Sequence, residues 1–242
     1  MASCGEGPVS TDQPLRWSSN GVGIRTSSEC GSEAYLRPTR PPEKLRPDAI
    51  KVTLRLLAQT GVKRVFTSAI RPQEQAFFRN IGFELHEELL LLSNDLSTHI
   101  PTPTRPTRRA PRSDWPQILE IDTSAFPQFW RFDKVALAEA IKATPRSRVR
   151  VNTGPSPQGF AITGRAGRQG FLQRLAVRPT HQGSGLGRSL VADALRWLQK
   201  RRVYEVLVNT QTQNLAALEL YESMGFTQRS DGLAVLRWDA ER

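Results

Sequence analysis

Between His181 and Leu198 the sequence HQGSGLGRSLVADALRWL sets Gly183, Gly185 and Gly187 one residue apart. Leu190, Val191, Ala194, Leu195 and Leu198 then recur at helical spacing. Glycines lack the Cβ that bars backbone from a ligand, and the first N–H groups of a helix have no intrahelical partner. Gln182, Ser184, Leu186 and Arg188 with these glycines therefore form a turn suited to a phosphate or pyrophosphate. The glycines alone fit a ligand-free connection equally well. Two better-known phosphate motifs are excluded. A dinucleotide fingerprint would need glycine at Arg188 and a strand directly before the turn, whereas five residues separate Val177 from Gly183. A Walker A loop would need Lys and Ser/Thr after its second glycine.

The elements that must hold this turn are legible around it. Ser113 or Asp114 can cap a helix to about Ala125, and Asp133 opens another through Ile141. SRVRVN, GFAIT and FLQRLAV read as adjacent strands with turns between them, and VYEVLVN (203–209) as a further strand. Ala217, Leu218, Tyr221 and Met224 mark a last helix that Gly225 ends, and GLAVLRW (232–238) closes as a strand. This order predicts a mixed α/β domain, a central sheet flanked by helices.

Composition bounds the function. The 242 residues, 38% hydrophobic and 24% charged, are those of an ordinary globular protein, without an apolar run of about 20 residues or a signal-peptide core. A cytoplasmic location and no membrane partner are expected. Cys4 and Cys30 lie in the polar first thirty residues and suggest neither a disulfide framework nor a metal site. The net charge of +11 is spread along the chain without a stripe interleaved with aromatics, so no direct nucleic-acid partner is expected.

The chain also repeats itself. Residues 36–65 align without gaps on 177–206 with nine identities: Arg37, Pro38, Thr39, Leu45, Leu54, Arg55, Leu57, Val62 and Val65 match Arg178, Pro179, Thr180, Leu186, Leu195, Arg196, Leu198, Val203 and Val206. Beyond a two-residue shift Ile81-Gly82-Phe83 matches Met224-Gly225-Phe226. The expected organisation is a polar leader (1–20), a truncated first unit (21–96), a Thr/Pro-rich linker (97–107) and a complete second unit (108–242).

QRLAVRPTHQGSGLGRSLV, followed by NLAALELYESMGF, resembles the GNAT superfamily of acetyl-CoA-dependent N-acetyltransferases. Its Q/R-x-x-G-x-G/A signature falls on Gln182, Gly185 and Gly187, and its second signature on Asn214, Ala217, Tyr221, Gly225 and Phe226. Within the superfamily the ILEIDTSAFPQFW and LYESMGF stretches look most like the acetylases of ribosomal-protein N-termini. The resemblance implies that acetyl-CoA lies between splayed strands 171–177 and 203–209. Backbone amides near Leu175, Ala176 and Val177 would hold the pantetheine and polarise the thioester carbonyl, and those of 182–188 the pyrophosphate. Tyr221 would protonate the leaving thiolate. Asn214 reads as an N-cap, a pantetheine contact, or both.

In one place the chain departs from the family. Where the ribosomal-protein acetylases carry a glutamate base in the VYEVLVN strand, this chain has Asn209, whose amide cannot take a proton at neutral pH. Glu120 and Asp122 are the possible substitutes, unless they are surface or capping carboxylates. FPQFWRF (126–132) either walls an acceptor pocket or fills the core, with core favoured. The first unit has Pro41, Pro42, Lys44 and Arg46 at the positions of the turn and Phe78 at that of Tyr221, so it should not bind coenzyme. In plan this resembles the tandem members of the family such as the mycothiol synthases. The expected activity is acetyl transfer to a primary amine, on a protein or peptide N-terminus or a small molecule of low pKa, by a monomer or homodimer without a metal. The alternative is a catalytically weak acyl-CoA-binding or interaction protein on the same fold.

Overall fold

The computed structural model describes residues 16–27 and 31–240. Most of the expected leader, with Cys4, lies outside these, as does Cys30. In chain order the elements are β1 (Arg16–Ser19), β2 (Val22–Thr26), β3 (Glu33–Pro38), α1 (Pro47–Gln59), β4 (Arg64–Thr67), α2 (Pro72–Asn80) and β5 (Glu84–Asn94). There follow β6 (Thr107–Arg109), α3 (Trp115–Ala125), α4 (Lys134–Lys142), β7 (Arg146–Asn152), β8 (Gly159–Ala166) and β9 (Gln169–Val177). The chain continues through α5 (Leu186–Gln199), β10 (Glu205–Gln211), α6 (Leu215–Ser223), β11 (Thr227–Gln228) and β12 (Leu233–Asp239). No helix among the described residues is long and apolar enough to cross a membrane.

Two compact units divide the chain, Met1–Leu90 with Ser230–Arg242, and Leu91–Arg229. This differs from the expected 21–96 and 108–242, because the last strand, β12, is part of the first unit. There β12 pairs antiparallel with both β4 and β5. Val235 and Leu236 are buried, and Leu236 is in the core that Leu36, Ile50, Leu54, Leu57 and Phe78 share. The expected linker is also not a free tether. Ile100 is buried, and the Arg105 amide donates to the Ser189 hydroxyl of α5 at 3.0 Å.

In the second unit β6, β7, β8 and β9 pair antiparallel in succession and β10 joins β9 in parallel, giving the expected mixed sheet. Alternation along β7 sorts the layers. Val149 and Val151 face a core with Ile118 and Ile121 of α3 and Leu137 of α4. The intervening Arg148 faces α5, where its guanidinium donates to Asp193 at 2.6 Å and covers the Trp197 ring at 4.8 Å. With helices on both faces, β8 is buried on both, and Gly159 to Gly164 are buried without interruption. The Asp133 carboxylate caps α4 by accepting from the Ala136 amide at 2.6 Å. Asp114 precedes α3 but does not cap it, because it is ion-paired with Arg108.

The sequence repeat is a structural one. Leu45, Leu54, Leu57, Val62 and Val65 are buried, as are their counterparts Leu186, Leu195, Leu198, Val203 and Val206. Both long helices end alike: the Val62 amide donates to Leu57 O at 3.2 Å and the Val203 amide to Leu198 O at 3.3 Å. Phe78 packs edge-on to Phe83 with ring centroids 5.4 Å apart, and Tyr221 lies 5.6 Å from Phe226. Ahead of α1 the first unit has β1 to β3 and, among the described residues, no counterpart of α3 and α4.

Candidate active site

The glycine turn forms as its sequence predicts, for reasons that differ from glycine to glycine. Gly183 and Gly185 have φ of +73° and +81°, the left-handed region that an L side chain rarely enters. Gly185 is the N-cap of α5, and no atom lies within 4 Å of where a Cβ would stand on either glycine. Gly187 is ordinary helix, and its Cβ would meet Leu220 Cδ2 of α6 at 3.3 Å. Two of the glycines thus shape an open turn, and the third lets α6 approach. The first bond of the α5 ladder runs from the Ser189 amide to Gly185 O. The amides of Leu186, Gly187 and Arg188 precede it and are available to an anion, where the positive end of the helix dipole adds to their pull. A pyrophosphate fits this cradle. Gln182 Nε2 donates to Val177 O at 3.2 Å and Ser184 Oγ to His181 O at 2.6 Å, so both side chains brace the turn. Valine in place of Gly185 should weaken acetyl-CoA binding by about tenfold or more, since a side chain in left-handed backbone costs roughly 1–2 kcal/mol and the turn would relax out of its cradle. Alanine in place of Gly187 should act less, through the Leu220 contact. Calorimetry on the two variants checks this order.

Beyond the turn the sheet opens. The parallel pairing of β10 with β9 covers only Glu205–Leu207 against Gln169–Phe171. From Leu172 on, β9 keeps β8 as its partner, with a register shift after Ile162 that leaves Gln173 as a bulge. Leu175, Ala176 and Val177 therefore lie where β9 has parted from β10, and their strand leads into the glycine turn.

α6 brings Tyr221 to this place. Leu220 meets Gly187, and Arg188 Nη1 donates to Ser223 Oγ at 2.8 Å, so residues on both sides of Tyr221 are fastened to the first turn of α5. Asn214 is the N-cap of α6, its side chain accepting from the Ala217 amide at 3.3 Å. Tyr221 is 5% exposed, and among the described residues its hydroxyl makes no hydrogen bond. Burial pushes the hydroxyl well above the ordinary tyrosine range, with the positive field of Arg174 opposing. It is therefore a protonated donor with no structural bond to break.

Arg174 was not singled out by the sequence reading. It stands on β9, and its guanidinium binds Asp122 with both prongs, Nε to Oδ2 at 2.7 Å and Nη2 to Oδ1 at 2.9 Å. Nη2 also donates to Trp130 O at 2.6 Å, and the guanidinium is stacked on Phe126 at 3.5 Å and Phe132 at 4.0 Å. Burial draws its pKa down while Asp122 holds it up. The 126–132 stretch is thus neither plain core nor plain pocket wall; its aromatics enclose an ion pair. A charged residue inside the apolar run FLQRLAV was the available signal, since a buried arginine demands a carboxylate.

The two candidate proton acceptors part company here. Asp122 is fully buried, and besides Arg174 its Oδ1 accepts from the Phe132 amide at 2.7 Å. A carboxylate whose oxygens are so occupied serves as a structural anchor, which argues against the relay role. Glu120 remains available; its side chain is 65% exposed and accepts from Arg178 Nη2 at 3.0 Å, next to the end of β9. Asn209 is exposed on β10.

Residues 115–226, most of the second unit, match the model of the acetyltransferase (GNAT) family. The chain is 28% identical over 200 residues to the mycothiol acetyltransferase of Acidothermus cellulolyticus, covering 71% of this chain and 61% of that protein. It is 39% identical over 69 residues to the ribosomal protein bS18-alanine N-acetyltransferase of Escherichia coli, covering 28% and 47%. A solved tandem GNAT protein from the clavulanic acid biosynthesis pathway matches 91% of this chain and 79% of its own with a TM-score of 0.64 and 12% identity, a likeness of fold. The chain spans less than two thirds of the length of these curated relatives.

Proposed function

We propose that the second unit transfers the acetyl group of acetyl-CoA to a primary amine, an α-amine at a protein or peptide N-terminus or a small amine of similar pKa. The observation that carries this is the buried Tyr221 side chain on a helix fastened to the anion turn. Acetyl-CoA supplies an activated thioester. The turn at 182–188 would hold its pyrophosphate, and the open edge of β9 at Leu175 to Val177 its pantetheine arm. The amine nitrogen forms a bond to the carbonyl carbon, the carbon–sulfur bond breaks, and Tyr221 gives the departing sulfur a proton. The surplus proton on nitrogen leaves to water or Glu120, and a proton from solvent restores the Tyr221 hydroxyl. The first unit, with Phe78 at the tyrosine position and Pro42 opening the equivalent turn, lacks both parts.

The acceptor follows from the missing glutamate. Only a neutral amine attacks. At pH 7 an α-amine of pKa about 7.7–8.0 is roughly a tenth to a sixth neutral, whereas a lysine near 10.4 is neutral in about one molecule in a few thousand. A site with Asn209 and no free buried carboxylate depends on that reactive fraction. One of the two curated relatives is named as an alanine N-acetyltransferase, which agrees. Given a peptide library bearing free N-termini and lysines, the protein should acetylate the N-termini. Acetylation confined to lysine, with N-termini untouched, would show that an unidentified base is at work. Exposed Asn209 also favours a second reading, binding of acyl-CoA without efficient transfer. Steady turnover of acetyl-CoA with any amine excludes it.

A further inference from the structure

Within the second unit, residues 95–105 form no helix or strand and run along α5 from its C-terminal to its N-terminal end. Gln199 Nε2 donates to Leu96 O at 3.4 Å, Arg196 Nη1 to Ile100 O at 3.4 Å, and the Arg105 amide to Ser189 Oγ at 3.0 Å. Leu96 and Ile100 are buried, 8% and 6% exposed. This segment is a strap: two apolar side chains four residues apart on it are buried, and Arg196 and Gln199 of the helix bind its main chain.

The ungapped repeat places Lys51, Leu54, Arg55 and Ala58 of α1 at the positions of Ala192, Leu195, Arg196 and Gln199 of α5, and beyond the two-residue shift Ile81 stands at that of Met224. In the first unit these same residues, with Trp238 and Ala240, line a cavity of about 430 Å³. Leu54 and Ile81, 1% and 5% exposed, form an apolar floor, and Trp238 is half-buried beside them. Lys51 and Arg55 are exposed. Among the described residues no such strap covers the matching surface of α1, and it carries one more cation, since Lys51 stands where the second unit has Ala192.

We propose that this cavity is a docking groove for an extended segment of a partner polypeptide, with two apolar side chains four residues apart and a carboxylate two residues beyond the second. The floor takes the apolar side chains as α5 takes Leu96 and Ile100. Arg55, the repeat of Arg196, donates to the main chain. Lys51 lies one helical turn before Arg55, as Ala192 does before Arg196, in the direction in which the strap passes Thr102, whose hydroxyl is 3.5 Å from Arg196 Nη1. Two cations there favour a carboxylate over a hydroxyl. The groove belongs to the first unit and is independent of the proposed acetyl transfer.

The full chain, titrated calorimetrically with synthetic peptides, tests this. The probes are LSTHIPTPT, the strap sequence 96–104, the version LSTHIPEPT with a glutamate matching Thr102, and a control in which Leu and Ile become serine. LSTHIPEPT should bind with one-to-one stoichiometry and about tenfold more tightly than LSTHIPTPT, and the serine control should not bind. A variant combining Lys51→Glu with Arg55→Glu, both exposed and outside the anion turn, should lose the glutamate peptide while binding acetyl-CoA as before. Absence of binding to the parent chain, equal binding of the serine control, or unchanged affinity in the charge-reversed variant each overturns the proposal. So does binding that appears only after residues 1–15 are deleted, which would make those residues the occupant.

Discussion

Asp122→Ala should lower the stability of the second unit by about 3–5 kcal/mol, the usual cost of leaving one half of a buried ion pair without its partner. The Asp122 side chain is wholly buried and that of Arg174 is 9% exposed, so water cannot replace the lost carboxylate. The change also strands the Phe132 amide and frees the 126–132 stretch, which Arg174 holds through Trp130 O. Replacing both partners by apolar residues, Asp122→Leu with Arg174→Met, should cost less than Asp122→Ala alone, because no unpaired charge remains. Urea unfolding of the three variants checks this. If the single variant unfolds at the parental midpoint, Asp122 is not an anchor and its candidacy as a proton relay reopens.

Tyr221→Phe should reduce turnover by about 10²–10⁴-fold, the range for loss of a positioned general acid, and leave acetyl-CoA affinity nearly unchanged. Phenylalanine keeps the ring that packs against Phe226 and removes a hydroxyl with no structural partner among the described residues, so the fold should not suffer. Because burial raises the pKa of that hydroxyl, the parent enzyme should show no loss of activity from Tyr221 ionisation below about pH 10. The rate should instead rise with pH as the acceptor amine loses its proton. Phe78→Tyr in the variant should restore nothing, since α1 follows Pro42 and Arg46 rather than a glycine turn. Turnover equal to the parent across pH would remove Tyr221 from the mechanism.

The parts of the molecule legible in the sequence were those with local signals. Leu190 to Leu198 at helical spacing gave α5, Asp133 gave the start of α4, and the nine identities of the repeat gave two units whose matching leucines and valines are buried alike. What escaped were partners far apart in the chain. Asp122 and Arg174 are 52 residues apart, and nothing in the pattern around Asp122 distinguishes a relay carboxylate from an anchor. β12 was assigned to the unit that precedes it in sequence, because a closing strand carries the same apolar alternation whichever sheet it joins. The glycines were grouped as one feature, although only Gly183 and Gly185 adopt positive φ and Gly187 answers to Leu220.

The central claim, that the second unit is an acetyl transferase acting through its anion turn and Tyr221, meets its most direct test in mass spectrometry of one peptide with a free N-terminus, incubated with acetyl-CoA and the full chain. The parent protein should place an acetyl group on the α-amine, and Tyr221→Phe should do so at least a hundredfold more slowly, roughly the lower bound for a lost general acid. Acetyl-CoA that binds but acetylates neither this peptide nor any amine in a library would contradict the claim and leave a binding protein on an acetyltransferase fold.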